Sequence, residues 1–320
     1  MANNTPFTGR GTSVGIGLES TWGTPVARSN WMRLISANNK RNIEKIVKPH
    51  LGTSGATSAN RREFFIGGDD ADLALECVMA YDDSSILLAT NMLGAVATTG
   101  AGPYTHTVTL ASDAQTGLTL EGLNGNAANS EVFEGCLVAT WQISIEAGSF
   151  MRASANFIAQ TSAARAAKGT PTYSSNGEEI LHHHGAPLSF NSATYDVRSM
   201  TLSGDNKLAR RRFIGSKFTQ KPVQGDFGEC LLEVTIEHFD DVPYAALLAD
   251  TQGDVVIVFT GTGNNALTIT GHNALLTDVS TPINSAGVMI QTLTFKLFSD
   301  GTDEGVKLEF VNDNATSTAN

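Results

Sequence analysis

Hydrophobic and polar positions alternate along much of the chain, which is the period-2 signature of strands with one buried face. Trp141-Gln-Ile-Ser-Ile-Glu places Trp141, Ile143 and Ile145 on one side, and Leu231-Leu-Glu-Val-Thr-Ile-Glu does the same for Leu232, Val234 and Ile236. Leu267-Thr-Ile-Thr and Thr292-Leu-Thr-Phe-Lys-Leu-Phe repeat the pattern. Val255-Val-Ile-Val-Phe is a continuous apolar run and predicts a strand buried on both faces. Gly, Asn and Asp punctuate these runs, as turns require.

Only two segments predict helices, and both begin on acids. Asp82-Asp83-Ser84-Ser85 precedes Ile86–Leu93, which stops at Gly94; Asp240-Asp241-Val242-Pro243 precedes Tyr244–Ala249, which stops near Gly253. Acids at a helix start accept from free N–H groups and complement the dipole, proline is tolerated in the first turn, and glycine commonly follows the end.

The chain repeats itself. Leu75-Glu-Cys-Val-Met-Ala-Tyr-Asp-Asp resembles Leu232-Glu-Val-Thr-Ile-Glu-His-Phe-Asp-Asp with one residue inserted, and upstream Ser36-Ala-Asn-Asn-Lys-Arg echoes Ser203-Gly-Asp-Asn-Lys-Leu. Order, spacing and chemistry recur together, which predicts an internal duplication. The expected organisation is a first fold over 1–165, a linker over 166–185 that is Ala/Ser/Thr/Gly-rich at its start, and a second fold with a C-terminal tail over 186–320. The fold class is mainly β: tandem antiparallel sandwich- or barrel-forming folds, each with one short flanking α-helix.

Composition narrows the function. The chain has 320 residues, 41% hydrophobic and only 17% charged, with a net charge of −11. That excludes a disordered chain, a coiled coil and a plain DNA-coating protein. Twelve of the 21 basic residues fall in two segments: Lys40, Arg41, Lys45, Lys48, Arg61 and Arg62, then Lys207, Arg210, Arg211, Arg212, Lys217 and Lys221. Glu44 is the one acid inside them, so two basic loops, one per repeat, are set against an acidic body. These twelve residues are the candidate inter-ring or inter-subunit contacts, expected to dock on the acidic surface of another copy.

Catalytic and metal signatures are weak. Gly9-Arg-Gly-Thr-Ser-Val-Gly-Ile-Gly lacks the strand and helix of a dinucleotide fingerprint, and no GxSxG, HExxH or phosphate-loop lysine occurs. His182-His183-His184 reads as a surface linker whose side chains alternate along an extended chain. Asp69-Asp70 and Asp82-Asp83 read as turn and helix-cap residues without calcium-loop spacing. Cys77, Cys136 and Cys230 are odd in number and widely spaced, which predicts reduced, buried thiols. No stretch approaches the length of a membrane helix, and the first residues do not resemble a signal peptide. No enzyme activity, cofactor or metal is expected.

Four motifs, in order, resemble one family. Gly15-Ile-Gly-Leu-Glu-Ser-Thr-Trp-Gly-Thr-Pro is similar to the opening, and Phe133-Glu-Gly-Cys-Leu-Val-Ala-Thr-Trp-Gln-Ile-Ser-Ile-Glu-Ala-Gly to the central strand pair, of the tail tube (major tail) proteins of long, non-contractile-tailed bacteriophages. Asp205-Asn206-Lys207-Leu208 with Arg212 and Gly215-Ser216 resembles the midchain motif, and Val288-Met-Ile-Gln-Thr-Leu-Thr-Phe-Lys-Leu the closing one. The resemblance implies packed antiparallel sheets with a short helix, in subunits whose rings join inner sheets into a β-barrel and stack into a tube. The tube encloses the tape-measure protein and passes genomic DNA without specific binding. The expected partners are therefore other copies of the chain, the tape-measure protein, and tail terminator and distal tail proteins, with no membrane. The expected place is the virion tail, assembled in the bacterial host cytoplasm. Two folds per chain favour trimeric rings with pseudo-sixfold symmetry over hexamers. The alternatives are a monomeric virion decoration or receptor-binding β-sandwich, and arginine-rich loops that grip DNA directly.

Overall fold

The computed structural model describes residues 12–47, 64–111, 116–122, 128, 130–162, 167–174, 177–191, 193–282, 288–299, 301 and 305–315. The N-terminal half runs β1 (Ser13–Leu18), β2 (Asn30–Val47), β3 (Phe64–Val78), α1 (Asp83–Leu93), β4 (Gly94–Thr99), β5 (Tyr104–Leu110), β6 (Leu118–Glu121), β7 (Val132–Glu146), β8 (Arg152–Ala159) and β9 (Thr161–Ser162). After one 3-10 turn at His182–His184 come β10 (Leu188–Phe190), β11 (Ala193–Tyr195), β12 (Val197–Asp205), β13 (Leu208–Arg211), β14 (Gln220–Gln224), β15 (Glu229–Glu237), α2 (Val242–Leu248), β16 (Gln252–Thr260), β17 (Ala266–Ser280), β18 (Ile290–Leu297) and β19 (Val306–Asn312).

Six strands close on themselves in the order β1–β2–β3–β8–β7–β6, with β6 returning to β1, so this barrel leaves no free edge at its core. The second half follows the same order in open form: β10–β16–β17–β18–β15–β12. All these pairs are antiparallel. The β12 edge then pairs with the C-terminal part of β7, from Ser199↔Glu146 to Asp205↔Thr140. Eight strands therefore form one continuous sheet: β2–β3–β8–β7–β12–β15–β18–β17.

Irregularities fix how the halves correspond. A bulge between Leu34 and Ser36 on β2 matches one between Val197 and Ser199 on β12. A second, between Val138 and Thr140, matches one between Leu276 and Asp278. Asp82 and Asp241 are the two helix N-caps. Bulges bend a strand at a defined place, so their coincidence is a register marker. It makes Leu73 equivalent to Leu232, Ala37 to Met200, and Phe157 to Phe295. The sequence echo that aligned Leu75 with Leu232 is thus two residues out of register, and the Ser36/Ser203 echo four. Short Leu-Glu and Asn-Lys motifs recur by composition, whereas register follows the bulges and buried faces.

The core forms where alternation predicted it. Trp141, Ile143 and Ile145 are buried, opposite Gly204, Leu202 and Met200 of β12. Burying a side chain of this size contributes about 1.5–3 kcal/mol. The Val255–Phe259 run differs from expectation: Val255, Ile257 and Phe259 are buried while Val256 and Val258 are partly exposed. A β-branched run suits either a one-faced or a two-faced strand, and here only one face is packed.

The helices differ too. All of α1 after Asp83 is buried, packed against β4, β5 and β7; Asp82 caps it by accepting from the Ser85 N–H at 3.1 Å. In α2 only Pro243 is buried, and Asp241 makes no side-chain cap bond. The three histidines form a turn rather than an extended segment. His184 Nδ1 lies 3.2 Å from the Tyr81 hydroxyl, and this stretch bridges β16 through Gly185↔Phe259. Ile180 is fully buried, with backbone bonds to Met79 and Met151, so the expected linker is woven into the barrel at that point. The three cysteines are free and buried, and burial pushes the Cys77 and Cys230 thiols up to about 12.

Candidate assembly interface

The seam between the halves is built from polar backbone partners and one tight steric fit. Beyond the β7–β12 ladder, Asn206 sends its Nδ2 to the carbonyls of Met92 and Val138, each at 2.9 Å, tying the end of α1 to both strands. Gly204 faces the Trp141 indole so closely that a Cβ there would lie 2.4 Å from the ring. His106, fully buried on β5, joins Thr98 of β4, Asn312 of β19 and the Asn314 carbonyl, which ties the C-terminal strand to the β4–β5 hairpin.

Two arms extend from the sheet. The first is the distal part of the β2–β3 hairpin; the second is the β13–β14 hairpin, at the equivalent place in the second half. They lie against each other. Asp69 pairs in parallel with Phe218, and its N–H donates to the Lys217 carbonyl at 2.9 Å. Asp70 has no exposed surface. It accepts from Arg210 Nη1 at 2.9 Å, Asn42 Nδ2 at 3.2 Å, Thr219 Oγ1 at 3.4 Å, and from Arg212. Arg210 also reaches Asp72 and the Ala71 carbonyl, and Arg212 reaches Glu44 at 2.9 Å. Arg41 grips Asp69 with two bonds of 2.8 and 2.7 Å; this holds the Asp69 carboxyl below its usual range and raises the Arg41 guanidinium.

Several residues of the basic segments have partners within the chain, Arg41, Arg210 and Arg212 among them. Lys207 sits 3.0 Å from Asp205 and 3.5 Å from Glu229, and Arg211 donates to the Lys221 carbonyl at 2.8 Å. Lys217 lies over the Phe218 ring. Lys40 and Lys45 are exposed on β2 and form no ion pair among the described residues. Lys48, Arg61 and Arg62 lie outside the described residues. The acids that matter, Asp69 and Asp70, stand within β3 rather than in a turn, because β3 continues through Gly67 and Gly68 into the arm.

The family-like motifs have structural work. The Glu19 carboxylate is buried and accepts from Gly23 N–H at 2.7 Å, Gly135 N–H at 2.8 Å and Thr119 Oγ1 at 3.0 Å; burial raises its pKa against these bonds. Trp22 Nε1 donates to the Gly135 carbonyl at 3.0 Å, and Gly135 adopts a φ of 63° beneath the indole. The opening and central motifs therefore meet at Gly135. Gln291 of the closing motif is buried and donates to Thr281 Oγ1 at 3.3 Å.

Among the described residues two edges of the eight-strand sheet are open: past Arg33, β2 pairs only with β3, and past Leu275, β17 pairs only with β18. One face of the sheet is mostly polar, with Leu231, Ile158, Leu275 and Ile290 among its apolar positions. Asp72, Glu76, Glu146, Asp205, Glu229, Glu233, Glu237 and Asp278 stand on it against Lys40, Arg152, Arg198 and Lys296, so it is net acidic. Beside the second arm, where β18 ends and β15 continues towards β14, lies a groove of about 1040 Å³. Among the described residues no group of His, Cys, Asp or Glu could hold a metal ion, and no helix is long and apolar enough to cross a membrane.

No curated protein matches the chain. The family model described as phage tail tube protein matches residues 9–297, nearly the full length, and its structural role fits a molecule built of sheet, seam and arms. The chain belongs to the phage tail tube protein family.

Proposed function

We propose that three copies of this chain close into a ring with pseudo-sixfold symmetry, and that rings stack into the tail tube. One observation carries the reading. The two halves repeat one pairing order and are joined by the β7–β12 seam, while the counterpart edges, β17 and β2, have no partner strand among the described residues. Applying the halves' register to that seam sets β17 of one copy beside β2 of the next, with Ser280 opposite Lys40 as Gln142 stands opposite Ser203. An open edge of this kind is a template for another strand.

Each chain supplies eight strands to the wall, four from each of two tube-like folds, 1–165 and 186–320, joined by 166–185. Three chains make a barrel roughly 45–50 Å across between backbones, from about 4.8 Å strand spacing and about 40° tilt. Six chains each lending one half would require the second sheet to leave the wall, although the β7–β12 ladder makes the two sheets continuous. The mostly polar, net acidic face lines the channel, encloses the tape-measure protein during assembly and repels DNA phosphates during ejection, so duplex passes without being held. Terminator and distal tail proteins cover the two ends of the stack. The role is structural rather than catalytic.

The variant Lys40→Cys/Ser280→Cys, treated in assembled tubes with a short bis-maleimide, tests this. The native thiols are buried and stay unreacted. We expect covalent products that end at a closed trimer, while Gln142→Cys/Ser203→Cys reacts only within one chain. Products extending to six chains, or no inter-chain product in well-formed tubes, would refute the trimeric seam.

A further inference from the structure

We infer that the groove beside the second arm is a socket for the β2–β3 arm of a neighbouring copy in the same ring. The inference rests on the ring reading above and adds a contact to it. In the first half, the edge of β3 past the end of β8 is filled by the second arm: residues 217–219 lie there, with Phe218 bridged to Asp69. The halves' register makes Gly228 the equivalent of Asp69. At Gly228, past the end of β18, the corresponding slot is the open groove of about 1040 Å³. The operation that copies the β7–β12 seam onto β17 and β2 also carries the first arm of the next copy into this slot.

The surfaces agree with that placement. Phe227 at the groove is 89% exposed, and Phe298 on its rim is 38% exposed. The first arm presents Ile46 and Phe65 on one face and Ile43 and Ile66, beside Lys45, on the other, each about two-fifths exposed or more. Clustered apolar side chains on two surfaces of one chain mark places that become covered. Asp226 in the groove and Lys45 on the arm make no ion pair among the described residues, so the two can meet across the contact. In the first half the arm–arm contact is locked by arginines on Asp70. Its equivalent, Glu229, is already engaged by Lys207 and Lys296 within the chain, so the contact between copies is chiefly apolar.

A photo-cross-linking residue, Phe227→p-benzoylphenylalanine, in tubes grown from mixed 14N- and 15N-labelled chains tests this by mass spectrometry. The expected cross-links join position 227 to peptides within 40–66 of a different copy, in tubes and not in dilute monomer. Phe227→Asp should raise the critical concentration for tube growth about tenfold or more and leave the far-UV spectrum and melting temperature of the monomer unchanged. Tubes whose cross-links fall within the same chain or on another surface, or tubes of Phe227→Asp that grow normally, overturn the socket and leave the ring reading standing. A chain that stays monomeric at every concentration overturns both.

Discussion

Replacing Arg210 and Arg212 together by Ala isolates the clasp between the arms. The double substitution leaves the Asp70 carboxylate, fully buried, with only Asn42 and Thr219 as partners, at 3.2 and 3.4 Å. Removing one side of a buried ion pair costs about 3–5 kcal/mol. The two guanidiniums are 28% and 41% exposed, so water can follow into the space they leave, and the lower end, about 3 kcal/mol, applies. At about 2–4 °C per kcal/mol this lowers the melting temperature by roughly 6–12 °C. Amides of β13 and β14 should exchange with solvent before those of β7 and β12, since the hairpin loosens first. Asp70→Asn added to the double variant removes the stranded charge and should restore about 1–2 kcal/mol, a non-additivity that a thermodynamic cycle reads directly. If the double variant loses less than about 0.5 kcal/mol, or if the Asp70 and arginine effects add without coupling, the clasp does not hold the arms and the reasoning fails.

Other consequences are checked singly. Arg41 holds the Asp69 carboxyl below its unfolded value, so this pair stabilises the chain above about pH 4 and the contribution disappears as pH falls through the folded value; urea unfolding from pH 6 to pH 3 should show a shallower acid loss for Asp69→Asn than for the unmodified chain. Asn206→Ala leaves the buried Met92 and Val138 carbonyls without this partner and should cost about 1–3 kcal/mol in denaturant titrations. Gly204→Ala drives a methyl group into the Trp141 ring and should cost about 1–3 kcal/mol, with a change in indole fluorescence that reports the displaced ring.

Local physics made the elements legible. Strict alternation in Trp141–Ile145 and Leu232–Ile236 named the buried faces, and Asp82 before Ser85 named a helix start that the structure caps as expected. The tail-tube resemblance rested on Glu19, Trp22 and Gly135 without their reason: these residues meet across more than 110 positions of chain, and no local pattern reports that. Asp69 and Asp70 were misread because Gly-Gly-Asp-Asp looks like a turn, whereas partners some 140 residues away hold it extended. The basic segments were visible as charge, but the acids that neutralise Arg210 and Arg212 come from β2 and β3 of the other half. Register escaped for a related reason, since bulges at Leu34–Ser36 and Val197–Ser199 exist only in the pairing. The open edges of β2 and β17 are likewise properties of the sheet.

Helical reconstruction of tubes grown from the purified chain by electron cryomicroscopy tests the central claim most directly. The account predicts three chains per ring, a channel wall of 24 strands bearing the acidic faces of both halves, and β17 of each chain hydrogen-bonded to β2 of the next. Six chains per ring with only one half lining the channel, or a wall in which β2 and β17 remain unpaired, would contradict it.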